Sequence, residues 1–194
     1  MYFKQDCTYH IFNRSNEIVF YNRENYLFFL RKIREHILPY ANILSFCLMP
    51  NHFHLILTVK SEGVAFFNNK RLDEMQVLSR AIGTTLSSYT QAINKQQGRR
   101  GSLFAHKTKA KILNDAKDEY ALNCFMYVHQ NPLLAKLVER IEHWEFSSFP
   151  DYIGKRNGTL VDKQLGLDTF QVEKSQLYEL TYIMLQDKLD EDFI

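Results

Sequence analysis

The stretch Ile43-Leu44-Ser45-Phe46-Cys47-Leu48-Met49-Pro50-Asn51-His52-Phe53-His54-Leu55-Ile56-Leu57-Thr58-Val59 holds two β-rich runs, 43–48 and 53–59. The Met49-Pro50-Asn51 break between them is short enough to join the runs as an antiparallel pair. Two strands in direct succession, with helical periodicity on either side, set the fold class as α+β with an antiparallel sheet.

On the N-terminal side, Cys7 to Phe12 alternates apolar and polar residues and reads as a strand, ended by the turn Asn13-Arg14-Ser15-Asn16. Tyr26, Leu27, Leu30, Ile33 and Ile37 mark a helix over 23–38, stopped by Pro39. On the C-terminal side, residues 61–71 read as a polar connection. Asp73 is placed to cap a long helix running to about Gln97. After the Gly98-Arg99-Arg100-Gly101 loop, Ser102 to Leu113 reads as a strand carrying Lys107, Lys109 and Lys111 on one face. Asp115 and Asp118 precede a helix over 119–130, which Asn131-Pro132 is expected to close. A turn at Ser147-Ser148-Phe149-Pro150 and a helix over 176–189 complete the chain. The order strand, helix, strand, strand, helix, strand, helix is that of a split α+β domain with helices packed on the sheet.

A length of 194 residues suits one domain, with 45% hydrophobic and 24% charged residues in the range of soluble globular proteins. No apolar run approaches the roughly 18 residues of a membrane span. The opening Met1-Tyr2-Phe3-Lys4-Gln5-Asp6 lacks the shape of a secretory signal. Cys7, Cys47 and Cys124 are odd in number and far apart, which fits reduced thiols and a cytoplasmic location, and argues against a cysteine-based zinc site. Charge is unevenly distributed. From Met75 to Asn114 there is no acid, while Arg80, Lys95, Arg99, Arg100, Lys107, Lys109 and Lys111 give a local +7. From Val161 onward, eight acids and three lysines give −5. A basic surface suited to a polyanion and an acidic tail follow.

Two constellations carry chemistry. His52 and His54, two apart on a strand, project from one face, so both imidazoles can reach a single ion while Phe53 enters the core. On the helix around Tyr127, Asn131 at i+4 shares the tyrosine's face, and Gln130 at i+3 is the competing neighbour. Either amide oxygen is a candidate third ligand beside the phenol. His129 is a proton carrier by type but sits at i+2 and faces elsewhere. Tyr89 and Phe104 read as core residues.

These segments resemble a known family. Met49-Pro50-Asn51-His52-Phe53-His54-Leu55-Ile56 is similar to the Met-Pro-Asn-His-x-His-Leu signature of the REP-associated and insertion-sequence single-tyrosine transposases, members of the HUH endonucleases. Tyr127-Val128-His129-Gln130-Asn131-Pro132 resembles their nucleophile segment. Tyr9 to Asn16 resembles their first strand and turn, with Ser15 where glycine is usual. Trp144 to Phe149 resembles the ending of their domain. The four segments run in the family's order over residues 2–153. His106-Lys107-Thr108-Lys109 stands where the family carries an Arg-Phe pair, so a DNA contact inferred from that pair does not transfer.

The resemblance implies a ferredoxin-like fold, a catalytic domain over 1–155 and a helical extension over 156–194. It also implies cleavage of single-stranded DNA beside a hairpin, with Tyr127 as nucleophile forming a 5′-phosphotyrosine link. His52, His54 and Asn131 (or Gln130) would hold Mg²⁺ or Mn²⁺. Asn13, Arg14, Arg99, Arg100, Lys107, Lys109 and Lys111 are expected to contact DNA. The partner is hairpin-containing single-stranded DNA, not a membrane, and homodimerisation is open. The alternatives are a non-catalytic hairpin-binding regulator on the same fold and an unrelated metal hydrolase.

Overall fold

A computed structural model describes residues 1–66, 75–104, 107–113 and 118–191, the last stretch without the side chains of 118 and 186–191. Four strands, β1 (Thr8–Arg14), β2 (Ala41–Met49), β3 (His52–Val59) and β4 (Lys109–Ile112), form one sheet in the order β2-β3-β1-β4. Every pairing is antiparallel. With α1 (Arg23–His36) between β1 and β2, and α2 (Ser61–Val64) and α3 (Val77–Gln96) between β3 and β4, this is the ferredoxin-like βαββαβ arrangement. Further on come α4 (Asp118–Leu134), α5 (Phe149–Tyr152), α6 (Lys163–Phe170) and α7 (Leu177–Glu191).

Strand alternation divides the sheet into two unlike faces. Phe53 on β3 meets Phe29 of α1 and also Phe104, and Tyr89 of α3 packs on Phe29. This apolar face is closed by α1 and α3, which pack on each other. Asn22 caps α1, its side chain accepting from the Asn25 N–H, and Arg34 and His36 sit in the last turn where they complement the helix dipole. Tyr26, Phe29 and Ile33 form the buried stripe, each contributing about 1.5–3 kcal/mol of burial. Tyr89 is fully buried and donates to the Val19 carbonyl, and Phe104 is buried too, so both are core residues as expected.

The second face is covered unevenly. α4 packs against β2 and touches β3 only lightly, and Lys109 and Lys111 of β4 are exposed on this side. Behind α4 lie α6 and α7. The Gln130 amide donates to the Thr181 carbonyl, and Tyr178 and Tyr182 both donate to the buried Glu142 carboxylate. The segment after residue 155 therefore supports α4 from its outer side.

Three expectations change. The strand expected over 102–113 is limited to Lys109–Ile112, because Leu103 and Phe104 turn into the core beneath α3. Lys107 therefore precedes the strand instead of lying on it. α4 does not close at Asn131-Pro132 but runs through to Leu134. A proline there removes only the N–H that would bond the Val128 carbonyl, and the helix ends within the next turn regardless. α3 starts after Gln76, and the cap assigned to Asp73 lies outside the described residues. Among the described residues, no helix is long and apolar enough to cross a membrane.

Candidate active site

Strand register assembles the site. Cys47 of β2, His54 of β3, Phe12 of β1 and Lys109 of β4 are successive cross-strand partners and project from the same face. One step along, Met49, His52 and Arg14 make the next row; in the other direction come Ser45, Ile56, His10 and Lys111. Tyr127 approaches this face from α4, its ring 5.6 Å from that of His54 and nearly perpendicular to it. Tyr127 is 38% exposed although its helix neighbours Met126 and Val128 are fully buried. The result is an open cleft of about 540 Å³ lined by Phe12, Asn13, Arg14, His52, His54, Lys107, Thr108, Lys109 and Tyr127.

Each histidine has one ring nitrogen engaged inside the protein. His52 Nδ1 lies 2.7 Å from Asn51 Oδ1, and His54 Nδ1 lies 2.8 Å from His10 Nε2. His54 Nε2 is buried without a hydrogen-bond partner among the described residues. An orphaned imidazole nitrogen on the wall of a cleft has the character of a ligand atom. Burial holds His54 well below the usual histidine range, with further lowering from His10 and His52. Burial likewise lowers His52, opposed by a hydrogen bond to Asn131 and reinforced by Arg14. Both rings are thereby kept neutral, the protonation state that binds cations.

The two candidate amides are separated by what lies behind the helix. Gln130 is fully buried and turned toward α7 through Thr181. Asn131 donates its Nδ2 to the Tyr127 carbonyl at 2.9 Å, and its side chain also interacts with His52. Among the described residues, no group of three or more His, Cys, Asp or Glu could hold a metal. A cation here would take two imidazoles and one amide from the protein, and its remaining ligands from water or a phosphate. Such a mixed nitrogen and oxygen set fits Mg²⁺ or Mn²⁺.

The remaining site residues fall into two groups. Arg14, Lys107 and Lys109 are exposed on the cleft rim. Lys109 Nζ lies 5.9 Å above the Phe12 ring, and Lys111 Nζ lies 4.2 Å above that of Tyr120. Arg100 is exposed in its loop, whereas Arg99 is engaged by Glu17 at 2.7 Å. Asn13 is buried and donates to Thr108 Oγ1, pinning the approach to β4 against β1. His129 lies apart from the cleft, its Nε2 within hydrogen-bond distance of the Ser45 and Ser148 hydroxyls. Residues that sequence reasoning left unassigned are His10, Asn51, Phe12 and Thr108. The polar residues at alternate positions of β1 signalled a face, but only the register with β3 brings His10 to His54.

No family model and no curated protein matches this chain. Its fold is similar to the solved structure of a REP-associated tyrosine transposase bound to a REP hairpin, with 16% sequence identity and a TM-score of 0.54. The likeness covers 84% of this chain and 92% of that one.

Proposed function

We propose that this chain is a metal-dependent nickase and strand transferase for single-stranded DNA, of the HUH single-tyrosine transposase type, acting beside DNA hairpins. The observation that carries the reading is the exposed Tyr127 phenol set against His54, whose Nε2 has no partner among the described residues, inside a lysine- and arginine-rimmed cleft. The four sequence segments that resemble the family support it, and so does the likeness in fold to a hairpin-bound transposase.

In this reading the Tyr127 oxygen attacks phosphorus. The new Tyr–O–P bond replaces the bond to the 3′ oxygen of the preceding nucleotide, giving a 5′-phosphotyrosine link and a free 3′-hydroxyl. The proton that Tyr127 loses is balanced by the one that the leaving oxygen takes up. Because one ester replaces another, a later 3′-hydroxyl can reverse the exchange and join strands. Bound at His52, His54 and Asn131, a divalent ion would supply Lewis-acid polarisation of the scissile phosphate. Arg14, Lys107 and Lys109 neutralise flanking phosphates, and Phe12 offers a ring on which a base can stack.

Incubation with a single-stranded DNA hairpin bearing 3′ and 5′ flanks, in Mn²⁺, tests the reading on a denaturing gel. A protein–DNA adduct that disappears with a chelator is expected. Tight hairpin binding without an adduct on any flank would overturn it in favour of a non-catalytic regulator.

A further inference from the structure

β1 and β3 bring a third imidazole against the histidine pair. His10 is 7% exposed and absent from the cleft lining, and its ring lies nearly coplanar with that of His54, with centroids 5.0 Å apart and planes at 23°. Phe12 stacks on the His10 ring at 4.7 Å, fixing its plane. At the facing edges of the two rings His10 Nε2 and His54 Nδ1 are 2.8 Å apart, so a single hydrogen lies between them.

We propose that His10 is a positioning residue which fixes the tautomer of His54: its Nε2 accepts the His54 Nδ1–H and so leaves the lone pair of His54 Nε2 unengaged for a divalent cation. The proposal rests on the metal-dependent reading of the cleft. A neutral imidazole carries one N–H, so the two directions of this hydrogen bond are exclusive. If His10 donated, the hydrogen of His54 would sit on Nε2, where no acceptor exists among the described residues. A buried N–H left without an acceptor is destabilising, and it could not bind a cation. With His10 accepting, the hydrogen is satisfied and the orphaned nitrogen is a ligand. Histidine ligands commonly donate their other N–H to a carboxylate or carbonyl. An imidazole in that place does the same work without adding negative charge beside Lys111, on a face that has to receive a polyanion.

The ¹⁵N shifts of His54 in the metal-free full-length protein at neutral pH read the tautomer directly. Protonated Nδ1 is expected, and protonated Nε2 would overturn the proposal. Mn²⁺ binding measured by calorimetry without DNA gives the second readout. His10→Phe keeps an aromatic ring but removes the acceptor, and should weaken Mn²⁺ binding about 10–100-fold. His10→Gln, which restores an acceptor oxygen, should recover binding to within a few-fold of wild type. Equal Mn²⁺ affinity in wild type and a folded His10→Phe variant would sink the proposal, as would a His10→Gln variant no better than His10→Phe. If wild type binds no Mn²⁺, the metal reading falls, while the ¹⁵N measurement still decides the tautomer. That measurement also stands if His10→Phe does not fold.

Discussion

His54 and His129 are alike by every local measure and opposite in circumstance. Both are buried, both are held neutral by burial, and each has one ring nitrogen without a partner among the described residues. Around His129 are the Phe125, Phe149 and Tyr152 rings and two serine hydroxyls that bridge β2 to the segment after Trp144. Around His54 are an exposed tyrosine, a second histidine and a basic rim. Burial and a depressed pKa therefore do not identify a working histidine. What distinguishes the two is that His54 is among the residues lining the cleft and His129 is not.

The largest expected effect separates the pair. His54→Ala should lower hairpin cleavage by on the order of 10³-fold and abolish Mn²⁺ binding in a variant that still folds. His129→Ala should do the reverse. It leaves the Ser45 and Ser148 hydroxyls without the imidazole and opens a cavity, costing about 2–4 kcal/mol, while Mn²⁺ affinity stays within about twofold. Chemical denaturation and calorimetry on both variants check this, and loss of metal binding in a folded His129→Ala variant would erase the distinction.

A smaller effect is set by pH. The folded-state pKa of His129 is lowered to about 3 by burial, against about 6.5 in the unfolded chain. Between those values the unfolded state takes up a proton that the folded state refuses. Stability is thus retained above about pH 6.5 and falls on acidification, by roughly 1.4 kcal/mol per pH unit for this group. In urea titrations from pH 7 to 5, His129→Gln should flatten the slope; an unchanged slope would mean that His129 is not the buried base assigned here.

The smallest effect concerns the rim. Replacing Lys107, Lys109 and Lys111 together with alanine should reduce the salt dependence of hairpin binding by a slope of roughly 2, at ~0.7 per phosphate contact on a single strand. The fold should be unaffected, since all three side chains are exposed. An unaltered slope would place the DNA path elsewhere.

The sequence was most legible where the signal is local. The 43–59 hairpin, the paired projection of His52 and His54, and the Tyr127–Asn131 spacing all follow from periods of two and 3.6 residues. It was least legible where distant packing decides. Leu103 and Phe104 stand in the β-like run 102–113, yet they fill the core under α3, and β4 is limited to four residues. Gln130 and Asn131 are equivalent candidates on a bare helix. Only the docking of α7 behind α4 occupies one and leaves the other toward His52. Likewise, nothing in the spacing of His10 and His54, 44 positions apart, predicts their contact, because it depends on the register of β1 with β3.

The central claim is that the exposed ring beside His54 is a nucleophile, and Tyr127→Phe tests it most directly. The substitution removes one oxygen and should leave Mn²⁺ binding, hairpin affinity and stability nearly unchanged. Mass spectrometry of wild-type protein after reaction should locate the nucleotide on Tyr127, and the Phe variant should give neither adduct nor nicked strand. A Tyr127→Phe variant that nicks the hairpin at the wild-type rate would contradict the account and assign the attack to water.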